Sequence, residues 1–223
     1  VAKCKDMSKE EQDAYVQKLT SENEMPRAFE FKTFDKIKEE SNDKDKKYNK
    51  LRKESSIKKE ILYVTAQEHA VPSSMLAMIK YIKAEKNDYE QLITVNSGNI
   101  KESEERLKRY NLGDIQIITR DDEKYLKSLS EAEYIFSDCG LEYYFAAKNN
   151  QKYFNLQTDN ISAKMTRKKE RECFEFATVQ KSIITPKASI YLTNESRLSF
   201  EKAYRCEMLP TSAIISDCPA FDM

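Results

Sequence analysis

The chain has 223 residues, enough to bury a sizeable core as one large domain or as a domain with an appendage. Lys+Arg and Asp+Glu both number 38, so the net charge is zero and the overall balance does not argue for a nucleic-acid partner. No apolar run approaches the roughly 18–20 residues of a membrane span, and the N-terminal VAKCKDMSKEE has no apolar core of a secretory signal.

The five cysteines, Cys4, Cys139, Cys173, Cys206 and Cys218, are scattered, odd in number and without a CxxC pair. That spacing predicts reduced thiols in the cytoplasm, with neither a disulfide framework nor a zinc site. No metal and no cofactor is expected. The chain opens on Val rather than Met, as a fragment would.

Residues 1–58 form a charged helical lead-in or linker, rich in Lys, Glu, Asp, Ser and Asn. Ser8 followed by Glu11 reads as a capping box for a helix over about 9–22. Phe29, Phe31, Phe34 and Ile37 give a second, weaker apolar spacing, and 38–60 reads as a long solvated helix or a partly ordered linker. Contact of this basic stretch with anionic lipid is the lesser reading, because acids are interleaved with the bases.

From residue 60 the pattern alternates. EILYVTA predicts a strand over 60–66, and a helix from Pro72 carries Met75, Leu76, Met78, Ile79 and Ile82 at helical spacing. QLITVN (91–96) reads as strand, KESEERLKRY (101–110) as helix, DIQIITR (114–120) as strand and DEKYLKSLS (122–130) as helix. EYIFSD (133–138) is a strand, LEYYFAAKN (141–149) a short helix with an aromatic face, and QKYFNL (151–156) a strand. After a polar stretch, KKERECFEFATVQKSI is a helix to about 183, ASIYLTN (188–194) a strand, ESRLSFEKAYRC (195–206) a helix with Asn194 as N-cap, and TSAIISD (211–217) the last strand. The β-α alternation over 59–223 predicts a doubly wound parallel sheet with helices on both faces.

Ligands of such sheets bind beyond the carboxyl ends of the strands. The candidate loops are Gln67–Ser73, Asn96–Asn99, Ser137–Gly140, Gln157–Thr166, Thr193–Ser196 and Asp217–Asp222. His69 is the single histidine and lies in the first strand–helix loop, where it suits a general base or a solvated side chain. Ser73 and Ser74 open a helix and suit capping or an anion at its N-terminus. Asp121 and Asp122 read as helix caps. Arg167, Lys168, Lys169 and Arg171 form a basic cluster suited to phosphate or to a solvated helix start. There is no dinucleotide-binding glycine motif, P-loop or nucleophile elbow, which argues against a dinucleotide oxidoreductase, a P-loop NTPase and an α/β-hydrolase.

The segment SEAEYIFSDCGLEYYFAAKNNQKYFNLQTDNISAK resembles a stretch of the CDP-glycerol glycerophosphotransferase family, bacterial transferases of teichoic-acid and cell-wall polymer biosynthesis. In that family a strand of the type Ala-Lys-Tyr-Ile-Ile-Asn-Asn leads to a short aromatic helix. A Gln-x-Tyr strand and a Trp-His-Gly-Thr-Pro-x-x-Lys loop follow. The counterparts here are AEYIFSD, EYYFAAK, QKY and QTDNISAK. The later YLTNESRLSFEKAY and IISDCPAFDM and the earlier ILYVTAQEHAVPSSMLAMIKYI also resemble it, so the likeness covers about 60–223.

The resemblance implies a Rossmann-like domain, the acceptor-side half of a GT-B architecture, in an enzyme that moves polyol phosphate from CDP-glycerol to a polymer. Counting from Gln151, the family's Trp, His, Gly, Thr and Pro fall on Gln157, Thr158, Asp159, Asn160 and Ile161. The family histidine is the base that activates the acceptor hydroxyl; a threonine hydroxyl does not titrate near neutral pH and cannot replace it. In the closing motif Pro219 and Asp222 match, while Ala220 stands for the arginine.

Asp159, His69 and Asp222 are then the candidate catalytic groups, and Thr158, Asn160, Lys164, Arg167, Lys168 and Ser73 the candidate substrate-binding ones. The implied partner is a polyol-phosphate or lipid-linked glycan acceptor, with CDP-glycerol only where a second half is present and without nucleic acid. The implied place is the cytoplasm, with a peripheral contact at the inner face of the membrane as a further option. The alternative is a non-catalytic binding or scaffold module for polyol-phosphate or glycan chains.

Overall fold

The computed structural model describes residues 31–66, 70–85, 88–157, 180–204, 206 and 212–216, with residues 31–42 as backbone. The expected helix over 9–22 lies outside them. The chain forms two compact units, Val1–Lys46 and Lys47–Met223. In the first, the described part is the start of helix α1 (Phe31–Glu54), whose last turns belong to the second unit. None of the described helices is long and apolar enough to cross a membrane.

The second unit is a β-α alternation: β1 (Lys58–Val64), α2 (Ser73–Glu85), β2 (Glu90–Thr94), a 3-10 turn (Ser97–Asn99), α3 (Ile100–Arg109), β3 (Gln116–Ile118), α4 (Glu123–Glu131), β4 (Ala132–Ser137), β5 (Lys152–Leu156), β6 (Ala188–Tyr191), α5 (Asn194–Ala203) and β7 (Ala213–Ile215). The described strands make one seven-stranded sheet in the order β3-β2-β1-β4-β5-β6-β7, and every described pair is parallel. The doubly wound, Rossmann-like expectation is thus met.

The burial of the strands fits this order. β1 and β2 are buried through all but their first residues, as central strands covered on both faces must be. β3 and β7 are short and partly exposed, which suits edges. Side chains alternate between faces with period two. Leu62 and Val64 join Leu92, Ile135 and Tyr153 under Tyr48, Tyr125 and Leu129. Ile61 and Tyr63 join Ile93 and Phe136 under Met75, Leu76, Ile79 and Leu107. On that second face Phe136 stacks between Tyr63 and Phe154, with centroids at 5.7 and 5.3 Å.

Three local expectations are corrected. The helix expected over 141–149 is absent: the segment runs as turns and irregular chain. Its carbonyls are taken by distant donors. Lys181 Nζ donates to Tyr143 O at 2.5 Å and Phe145 O at 2.6 Å, Tyr48 Oη to Ala146 O at 3.1 Å, and Arg52 to Ala146 O at 2.9 Å and Ala147 O at 3.3 Å. Leu141 and Phe145, four apart, are still both buried in one cluster. The aromatic spacing therefore served packing without requiring a helix.

The N-cap of α5 is Thr193 rather than Asn194, because the threonine Oγ1 accepts from the Ser196 amide at 3.0 Å while Ser196 Oγ accepts from the Thr193 amide at 3.2 Å. Asp122 does sit at the N-cap of α4, but its carboxylate accepts from the Thr119 amide at 2.7 Å and closes the preceding turn instead of capping the helix.

Candidate functional site

The described strands being parallel, their carboxyl ends share one edge of the sheet. The strand order reverses at β1, between the β2 side and the β4 side. Chains leaving β1 and β4 therefore part from each other and open a crevice at that edge. The floor of this crevice is described by Val64, Thr65 and Ala66 after β1, Arg120 after β3, and Ser137, Asp138 and Cys139 at the end of β4.

These strand ends are tied together by side chains. Arg120 Nη2 donates to Thr65 O at 3.3 Å and to Cys139 Sγ at 2.8 Å, and Nη1 lies 3.6 Å from Glu142 Oε1. Tyr125 Oη donates to Glu142 Oε2 at 2.5 Å. Asp138 Oδ1 accepts from the Ala66 amide at 2.7 Å, and the Asp138 amide donates to Val64 O at 3.3 Å. Ser137 Oγ accepts from the Cys139 amide at 3.1 Å. Thr65 Oγ1 donates to Thr94 O at 2.6 Å, which joins the end of β2 to the same network.

Burial sets the electrostatics. It pushes the Cys139 thiol up to about 11, against the opposing pull of Arg120, so at neutral pH the sulfur is a thiol that accepts a guanidinium N–H rather than a nucleophile. Burial disfavours charge on Arg120, but the guanidinium stays charged, with the Glu142 carboxylate among the groups that favour its protonated form. The Tyr153 hydroxyl is buried beside this cluster, and burial holds its proton firmly.

At the end of β5, Gln157 is buried; its amide donates to Ile190 O at 2.8 Å, and its Nε2 donates to Asn155 Oδ1 at 2.9 Å. Asn155 in turn donates to Ser182 O at 2.9 Å. The chain therefore leaves β5 from a fixed point at the carboxyl edge of the sheet. Thr158, Asp159, Asn160, Lys164, Arg167 and Lys168, which follow that point, lie outside the described residues, as do His69 and Asp222.

Of the expected site residues Ser73 is described. It begins α2, and its Oγ accepts from Arg106 Nη2 at 2.7 Å, so the hydroxyl is engaged by α3. Asn96 and Thr193, in two further candidate loops, each accept a backbone amide of the helical turn that follows. Among the described residues no group of three or more His, Cys, Asp or Glu side chains could hold a metal ion.

Sequence reasoning placed the Ser137–Gly140 loop at this edge but singled out neither Asp138 nor Arg120. The legible signal was a charged residue immediately after each of two apolar strands, IITR and YIFSD.

No sequence-family profile matches the chain, and no curated protein matches it by sequence. Solved structures do. The chain shares its fold with the wall teichoic acid polymerase TagF, with TM-score 0.54 and 14% identity over 86% of this chain. A His-to-Asn variant of TagF matches with TM-score 0.57 and 17% identity over 86% of this chain, and the same variant soaked with CDPG with TM-score 0.57 and 15% identity. The chain spans about half the length of these structures, 48% and 49% for the last two.

Proposed function

We propose that this chain is the acceptor-side domain of a CDP-glycerol glycerophosphotransferase-like protein, holding a polyol-phosphate or lipid-linked glycan acceptor and not turning over by itself. One observation carries the reading. The fold of a teichoic acid polymerase covers most of the chain, and β5 ends at the carboxyl edge of the sheet with Gln157, the residue before Thr158. The motif resemblance sets the segment from Gln157 in register with the family's histidine loop, and its second residue is Thr158.

In the complete reaction an acceptor hydroxyl attacks the β-phosphate of a CDP-polyol. A new P–O bond forms, the bridging P–O bond breaks, and CMP leaves with the electron pair. The hydroxyl proton needs a base. Thr158 cannot supply one; Asp159, His69 and Asp222 are the candidate bases in this reading. Lys164, Arg167 and Lys168 would neutralise phosphate, and Thr158, Asn160 and Ser73 would contribute hydroxyl and amide contacts. A cytoplasmic place with peripheral contact to the membrane fits a lipid-linked acceptor.

The test is CMP release from CDP-glycerol by the longest native form of the protein, with polyol-phosphate acceptors supplied. Release by the native form and none by residues 1–223 is the expected result. No release in any form favours the second reading, a non-catalytic module that binds polyol-phosphate chains, which the threonine at position 158 specifically supports. In that reading, charge reversal at Arg167, Lys168 and Lys169 weakens calorimetric binding of teichoic-acid oligomers; unchanged binding removes these residues from it.

A further inference from the structure

Arg52 and Lys148 meet at the amino end of the sheet, across from the edge where ligands of doubly wound domains enter. Ser55 precedes β1, Ser130 precedes β4 and Lys148 precedes β5. Lys148 Nζ donates to Ser55 O at 2.6 Å and to Ser55 Oγ at 2.9 Å, and Ser55 Oγ lies 3.1 Å from Ser130 Oγ. Arg52 donates through Nε and Nη2 to Ala146 O and Ala147 O. Both cations are half-buried, and both are oriented by backbone carbonyls before any ligand arrives.

Neutral groups hold these two charges. Among the described residues neither cation has a carboxylate partner, and Arg52 Nη1 makes no hydrogen bond. Burial, and then the neighbouring Arg52, lower the Lys148 pKa, while Glu131, which opposes this, is itself paired with Lys58. The other cations of this edge are set differently: Lys58 faces Glu131, Lys124 faces Glu90 at 3.2 Å and Lys152 faces Glu133 at 3.6 Å. A carbonyl can be satisfied by a neutral donor, so two adjacent charges exceed what these carbonyls need. Like charges side by side repel unless an anion joins them. A phosphate group would take the free guanidinium N–H and the ammonium together, and would turn the repulsion into attraction.

We propose that Arg52 and Lys148 form a phosphate subsite, remote from the carboxyl edge, that takes a phosphodiester of the acceptor chain away from its reacting end. The identity of the ligand rests on the proposed acceptor role. A glycerol-phosphate polymer carries a phosphodiester in every repeat, so a chain whose end lies at the carboxyl edge has further phosphates to offer elsewhere. The central strands β2 and β1 have 5 and 7 residues. At roughly 3.3 Å per residue they span about 16–23 Å, so a chain of several repeats is needed to reach both edges.

The experiment is an amide chemical-shift titration of the 15N-labelled 223-residue chain with a poly(glycerol phosphate) oligomer of several repeats, with glycerol, and with phosphatidylglycerol vesicles. The oligomer should move the amides of Ser55, Ala147 and Lys148, and glycerol should not. Lys148→Gln keeps a donor for Ser55 O; it should weaken the oligomer about tenfold and reduce the salt dependence of its affinity. Arg52→Lys keeps the charge and a donor for one carbonyl; it should retain the fold and weaken the oligomer less. Oligomer shifts confined to other residues, with affinity unaltered in both variants, overturn the inference while the acceptor role stands. Equal shifts of these amides by glycerol overturn it, because the site would then not read charge. Shifts by the vesicles and not by the oligomer assign the pair to a membrane surface and overturn it as well. No oligomer shift anywhere removes both the subsite and the acceptor role.

Discussion

Arg52 Nε donates to the carbonyl of Ala146 at 2.9 Å, joining residues 94 apart in sequence. Tyr48, one helical turn earlier, donates to the same carbonyl at 3.1 Å. The end of α1 thus holds the segment that leads from β4 to β5, and with it Glu142, which faces Arg120 in the crevice. The charged lead-in is therefore not only a solvated helix in its last turns.

Arg52→Ala should cost about 1–2 kcal/mol of unfolding free energy, since it removes two hydrogen bonds from a charged donor. The check is urea denaturation, with hydrogen exchange of the Phe145 and Ala146 amides. Exchange there should quicken more than the global loss accounts for. A uniform change across the sheet would argue against local anchoring.

Glu60 is 6% exposed, and its Oε1 has no hydrogen-bond partner. Burial raises its pKa, reinforced by Glu90 and Glu131 and opposed by Ser128 and Lys124. A carboxyl raised on folding is more easily kept neutral in the folded chain. Its unfavourable contribution is absent below the unfolded value of about 4.3, grows as pH rises between the unfolded and folded values, and is constant above the latter. Glu60→Gln should remove that part of the pH dependence, seen as a flatter plot of urea midpoint against pH. Identical slopes for the two proteins would contradict the assignment.

Cys139, held near a pKa of about 11, should be about one thousandth thiolate at pH 8. Iodoacetamide should label it slowly in the native chain and rapidly in urea, with labelling assigned by peptide mass spectrometry. Native labelling as fast as in urea would mean that the Arg120–Cys139 contact does not persist in solution.

Phe136 is 8% exposed between two stacked rings, so Phe136→Ala should cost about 3–5 kcal/mol in chemical denaturation. Tyr81→Ala, at a position 68% exposed, should stay within about 0.5 kcal/mol. Equal effects would mean that the Tyr63–Phe136–Phe154 stack contributes little beyond its surroundings.

The amino-acid sequence alone determined the order of strands and helices and the parallel sheet. These follow from apolar spacing within each segment, such as ILYV in β1 and the Met75–Ile79 face of α2, and such spacing is a local property. The tertiary structure decided the conformation of 141–149, because donors from Tyr48, Arg52 and Lys181 outcompete the carbonyl pairing of a short helix. It also decided which charges meet. Arg120 follows β3, whereas Asp138 and Glu142 both follow β4, and only the strand order, with β1 between β2 and β4, brings those two segments to one edge of the sheet. Local periodicity carries no information on strand adjacency; pairing and register set it, and with it the chemistry at the edge of the sheet.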